Sequence, residues 1–295
     1  MNQVILLNPL IELKSIKKYY KEKNILDLSL SINPGESLAI LGANGSGKST
    51  LLRIIGGLAL PNRGKVIQSK KIEMGFVPEG FPRHLRFTPV EYLLHMGKIH
   101  GLSLPLLKTR IEELLNLFQL QKVSRQRMDS FSKGMLQKIA IMQAILHPPD
   151  LLILDEPLSG LDAQSQNDFL HILQSLKQQG MTLVLSVHEP SLLNLVDRFI
   201  VLRNGRVHMD RMAKDIREPS MVIEATFPQK IDIDVTAIQQ GVVKNIYKEK
   251  DYLELLVTPG NSDEVLLYLL QKGASIRSVY YYEPLLEWTK TKGGD

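Results

Sequence analysis

Cysteine is missing from the 295-residue chain. Its absence excludes disulfide frameworks and cysteine-ligated metal centres, and it fits a reducing compartment. Also missing is any run of about 18 or more apolar residues, the length a membrane-spanning helix requires. A membrane role therefore has to come through a partner. Residues 1–13 contain a short apolar stretch at 4–7 but neither a basic start nor a full apolar core. They read as the lead-in to a first strand rather than as a secretory leader. Internal repeats, low-complexity tracts and heptad stretches are lacking too. What is there is the balance of a folded protein, 44% hydrophobic and 23% charged, long enough for one large domain or two unequal ones. The 36 basic and 31 acidic side chains leave a net charge of +5, and residues 80–150, with ten Lys/Arg against five Asp/Glu, carry a surplus of the same size. A basic face of this kind suits anionic lipid, an acidic partner or nucleic acid, and charge alone does not choose.

Strand-like and helix-like stretches alternate along the first two thirds. The runs SLAIL at Ser37–Leu41, LLIL at Leu151–Leu154 and TLVLSV at Thr182–Val187 are short, apolar and not alternating. That pattern predicts strands buried on both faces, as in a parallel α/β sheet. Residues 49–56 read as a helix, and 88–143 are dominated by helical spacing, which predicts a helical insertion at about 80–145. Asn204-Gly205 between apolar runs predicts a tight hairpin, because that pair tolerates positive φ. After Lys214 the character changes. Strands at 221–227, 242–248, 252–258 and 275–281, with helices at 232–241 and 262–272, give the order of a split βαβ, ferredoxin-like module. The expected division is an α/β domain over 1–214 and a small accessory domain over 215–295.

Residues 42–50 read GANGSGKST and fit the phosphate-binding loop G-x-x-x-x-G-K-[ST], with a strand before and a helix after. The glycines Gly42, Gly45 and Gly47 let the backbone amides of Ala43, Asn44, Ser46 and Thr50 curl around phosphate oxygens. Lys48 supplies a point charge to the β and γ phosphates. Ser49 offers a hydroxyl to Mg²⁺, and the helix start adds its positive dipole end. LLILDE at 151–156 places Asp155 and Glu156 at the carboxyl end of a buried strand, where ligands sit in open α/β sheets. Asp155 then suits the metal, and Glu156, facing a different target, suits a general base for the attacking water. Together these residues point to a nucleotide site with a bound magnesium ion. Ser132 is placed to cap a helix running through Gln143, with Gly134 allowing close backbone approach.

In order and spacing, the phosphate loop, the segment FSKGM at 131–135, LLILDEP, SGLD at 159–162 and His188 resemble the ABC-type ATPases. The resemblance covers about residues 10–214. It implies a P-loop NTPase fold, a mostly parallel central sheet with a small antiparallel edge, and ATP hydrolysis that powers a separate membrane permease. It further implies a dimer, of two identical chains or with a second ATPase subunit. Each ATP would touch the phosphate loop of one chain and the Ser132 segment of the other. His188 would contact the γ-phosphate and link to Glu156, and the loop holding Asp162 would cross the interface. Glu79 stands where most of the family has a glutamine that reaches Mg²⁺ and the attacking water. Tyr20, chosen over Tyr19 by its spacing to Pro34-Gly35-Glu36, would stack on adenine. The commonest family form of the Ser132 segment is Leu-Ser-Gly-Gly-Gln. Here Phe131, Lys133 and Met135 replace the leucine, the first glycine and the glutamine, the variant of many bacterial exporter ATPases. The segment YEPLLEW at 282–288 is similar to the close of such exporter cassettes.

The resemblance therefore implies export, a peripheral position on the cytoplasmic face of a bacterial membrane, and no nucleic-acid partner. Two rival readings stay open at this level: a soluble ABC-type ATPase acting on ribosomes or DNA, and a regulatory ATPase module with the tail as sensor.

Overall fold

The computed structural model describes residues 8–21, 23–82, 84–187, 195–214, 220–227, 242–249 and 252–282. The chain divides into two compact units, Met1–Ala213 and Lys214–Asp295. Among the described residues no helix is long and apolar enough to cross a membrane.

The first unit is built on a six-stranded sheet. Its members are β3 (Ser37–Leu41), β5 (Met74–Val77), β6 (Leu151–Leu154), β7 (Thr182–Val187), β8 (Arg198–Arg203) and β9 (Arg206–Met212). The inner strands β3, β6 and β7 are buried because their sequences are apolar on both faces, while the edge strand β9 is largely exposed. Their order is β5-β6-β7-β3-β8-β9; every pairing is parallel except β8 with β9. The β8–β9 hairpin turns at Asn204 and Gly205, with φ of 49° and 74°, the left-handed pair that matches strand twist. Because β7 lies between β3 and β6, segments distant in sequence end side by side at the carboxyl edge.

A three-stranded antiparallel sheet stands apart, in the order β2-β1-β4, from β1 (Ile11–Tyr20), β2 (Lys23–Ile32) and β4 (Arg63–Gln68). In β1 both Leu13 and Ile16 are buried although strict alternation would send one of them outward. A bulge with Ser15 at φ 49° resets the register. Gly64 lies against it, and a Cβ there would sit 2.4 Å from the carbonyl oxygens of Lys14 and Ser15. Residues of this sheet, of the six-stranded sheet and of helix α1 (Lys48–Ile55) share one apolar core.

Between β5 and β6 the chain forms α2 (Pro89–Ile99), α3 (Leu104–Leu117) and α4 (Lys133–Ala144). Thr88 and Glu91 close a capping box at the start of α2. Gly97 admits Leu107 from α3, since a Cβ there would lie 2.3 Å from Leu107 Cδ1. Helix α5 (Ala163–Gln178) follows β6 and buries Phe169, Ile172, Leu173 and Leu176.

The second unit contains β10 (Ser220–Thr226), β11 (Val242–Glu249), β12 (Tyr252–Val257), α6 (Ser262–Gln271) and β13 (Ser275–Tyr282). Its sheet runs β11-β12-β10-β13, antiparallel throughout. Val265 and Leu269 of α6 pack on Ile223, Ala225, Leu253, Leu255 and Val257. The helix expected at 232–241 and residues 283–288 of the closing segment lie outside the described residues.

Candidate functional site

Residues 42–47 connect β3 to α1, and 48–50 form the first turn of that helix. Gly45 and Gly47 adopt φ of 77° and 106°, which L side chains rarely tolerate. A Cβ on Gly47 would also approach Leu26 Cδ2 to 2.8 Å and the Ile25 carbonyl oxygen to 2.9 Å. Gly47→Ala is therefore expected to cost about 1–3 kcal/mol of stability, read as a lower midpoint in denaturant unfolding. A Cβ on Gly42 would meet the Ser46 hydroxyl and lie 2.9 Å from the Leu202 carbonyl oxygen. Ala43 accepts the Ser46 amide at 3.1 Å, tightening the loop. No side chain caps the start of α1, so its amides are left for an anion. Ser46 Oγ is buried and finds no hydrogen-bond partner among the described residues, as expected of a cradle that awaits a polar ligand.

Lys48, at the first turn of α1, is buried. Its Nζ donates to the Gly42 carbonyl at 2.8 Å and the Ala43 carbonyl at 3.3 Å, and lies 3.6 Å from Glu156 Oε1. Burial pulls the ammonium below its ordinary pKa, against the opposing pull of Glu156, then Asp155 and Glu79. One residue on, Ser49 Oγ donates to Asp155 Oδ1 at 3.2 Å. Sheet order brings these groups together: β3 delivers Lys48 and Ser49, and β6 delivers Asp155 and Glu156.

One contributor was not singled out in the sequence. Ser186, fully buried near the end of β7, donates to Asp155 Oδ1 at 2.7 Å and accepts the Glu156 amide at 2.8 Å. The available signal was a second hydroxyl, near the carboxyl end of a mostly apolar buried strand.

An open cleft of about 410 Å³ lies over the loop, lined by Asn44, Gly45, Gly47, Lys48, Ser49, Thr50, Glu79 and Glu156 together with Tyr20, Lys23 and Ile25. Tyr20 is half exposed and has the Lys18 ammonium 5.2 Å from its ring centroid. Lys23 and Ile25 are further residues that sequence reading missed, since nothing local marks them.

Ser132, Gly134 and Asp162 do not line this cleft; they form a second cluster. Ser132 caps α4, its Oγ accepting the Met135 amide at 3.2 Å. Asp162 caps α5 by accepting the Ser165 amide at 2.8 Å, which holds its carboxyl below the ordinary carboxylate range. A Cβ on Gly134 would lie 2.6 Å from Ser165 Oγ. Lys133 Nζ donates to the Ser159 carbonyl, so the two helix starts are tied to each other. His188 lies outside the described residues.

The sequence profile described as ABC transporter matches residues 25–159. The spermidine/putrescine import ATP-binding protein PotA of Mannheimia succiniciproducens is 32% identical over 290 residues, covering 90% of this chain and 77% of that protein. The ABC transporter ATP-binding protein NatA of Bacillus subtilis is 36% identical over 63% of this chain and 80% of its own length. The chain belongs to the ATP-binding subunits of ABC transporters. Members of this family hydrolyse ATP to power transport, and so does this subunit. The linearmycin resistance ATP-binding protein LnrL of Bacillus subtilis, 33% identical, covers 67% of this chain and 68% of itself. Among solved structures, an ATP-binding subunit of an ABC transporter superposes with a TM-score of 0.63 at 32% identity, over 70% of this chain and 92% of that one. A dimeric ABC transporter cassette does so with a TM-score of 0.61 at 27% identity, over 69% and 98%. ATP-binding subunits of this family bind nucleotide, dimerise and work with membrane permease subunits at the membrane periphery.

Proposed function

We propose that this subunit binds Mg-ATP in the cleft above residues 42–50, closes as a dimer on two nucleotides, and powers export through a separately encoded membrane permease. The observation that carries this reading is the meeting of Lys48, Ser49, Asp155 and Glu156 at one end of the sheet. Loop amides and Lys48 hold the β and γ phosphates. Tyr20 offers its ring to adenine. Glu156 accepts a proton from the attacking water, and His188 joins it at the γ-phosphate. Ser132, Gly134 and Asp162 serve the partner chain's nucleotide, which accounts for their lying away from the cleft of their own chain.

The donor set fits magnesium. Ser49 and Asp155 are oxygen donors already in contact, and Glu79 shares the cleft. This suits an ion that takes one or two protein oxygens, waters and substrate phosphates. When bound, it would neutralise phosphate charge.

Residues 80–145 form the helical subdomain through which closure reaches the permease, and 215–295 an accessory domain. A place on the cytoplasmic face of a bacterial membrane follows from this role, and nucleic acid has no part in it. Export is supported by the Ser-Lys-Gly-Met form at 132–135 and by the likeness to a resistance subunit. Purification from native membranes should recover a permease with this chain, and the complex should hydrolyse ATP without a separate solute-binding protein. A strict requirement for such a protein would identify an importer, as PotA is named. Recovery with ribosomes would point to the soluble reading.

A further inference from the structure

We infer that Ser186 is a positioning residue for ATP hydrolysis, whose hydroxyl joins Asp155 and Glu156 into one oriented unit. The inference rests on the roles proposed above for those two acids. Strand β7 runs between β3 and β6, with Ser186 beside Ile40 in register. From there a single hydroxyl reaches both sides of the next segment. It gives its one proton to Asp155 Oδ1 at 2.7 Å and takes the Glu156 N–H at 2.8 Å.

Both bonds have something to hold. Glu156 adopts φ of 48°, a left-handed conformation uncommon outside glycine. An amide anchored at its nitrogen fixes that turn, and with it the direction of the carboxylate. Asp155 Oδ1 receives Ser49 and Ser186 together, so the carboxylate cannot rotate freely. Ser49 has a second task at the metal, which leaves Ser186 as the donor that keeps Asp155 in place. Thr182, the other hydroxyl of β7, accepts the Gly35 amide at 2.9 Å at the far end of the strand. It has no part in the site.

The test compares Ser186→Ala, Ser186→Thr and Glu156→Gln in the full chain. Three readouts are needed: steady-state ATP hydrolysis, ATP binding with and without Mg²⁺, and thermal unfolding. Ser186→Ala is expected to lower kcat by about 10- to 100-fold with KM changed by less than about threefold. It should also raise the Mg²⁺ concentration needed to tighten ATP binding, while metal-free ATP binding stays as in the wild type. Ser186→Thr, which restores the hydroxyl, should recover most of kcat. Unchanged kcat and Mg²⁺ dependence in Ser186→Ala would overturn the inference. Equal loss of metal-free ATP binding would also overturn it, by reducing Ser186 to a fold residue. If Glu156→Gln turned over normally, the base assignment itself would fall; if Glu156→Gln is inactive and Ser186→Ala is normal, only the present inference falls.

Discussion

Glu156→Gln is expected to cut ATP turnover by about 100-fold or more while leaving nucleotide binding intact. Glutamine keeps the size and hydrogen-bonding reach of glutamate, and its backbone amide can still donate to Ser186. It cannot take a proton from water. Binding should not weaken, because the substitution removes one of the negative charges that face the incoming phosphates. Lys48 loses one opposing charge at 3.6 Å, so less of its own charge is countered when the phosphates arrive. With ATP bound and hydrolysis blocked, the closed dimer should persist. Phosphate release measures the first effect, and gel filtration with ATP the second. Turnover at the wild-type rate would remove Glu156 as the base.

Lys48→Ala is expected to act on the other side of the cycle, weakening ATP binding by about 10- to 100-fold, the equivalent of about 1.5–3 kcal/mol for hydrogen bonds to a charged donor. Lys48 is the buried cation among Glu79, Asp155 and Glu156. Without it the cleft floor presents carboxylates to a polyanion. The Gly42 and Ala43 carbonyls also lose the donor that gathers the loop. Direct titration of ATP, rather than hydrolysis, is the measurement, since both variants lose activity but only this one should lose affinity. Equal affinity in wild type and variant would remove the phosphate-loop assignment.

The residues of the cleft were readable where their role depends on neighbours in sequence. A glycine-rich turn between a buried strand and a helix start is a contiguous object, so GANGSGKST announced both its shape and its anion. The same holds for Ser132, whose cap is set by the three residues after it, and for the Asn204-Gly205 turn, whereas the cap made by Asp162 emerged only from the structure. Ser186 was not readable, because its two partners lie 31 and 30 positions away. Nor was the bulge at Ser15, which sends Leu13 and Ile16 to one side and is braced by a glycine from a different strand. Lys133 appeared only as a departure from a pattern, whereas its contact with Ser159 depends on how α4 meets the start of α5.

By itself, then, the order of residues determined the buried strands, the Ser132 cap, the turn and the phosphate-binding form of the loop at 42–50, since each follows from backbone conformation and polarity over a few successive positions. The tertiary structure alone decided that β7 stands between β3 and β6 and that Lys23 and Ile25 join Tyr20 at the cleft. An apolar strand buried on both faces carries no mark of which strand lies beside it. That choice is made by packing over the whole sheet, and it is what brings a serine hydroxyl to the two acids.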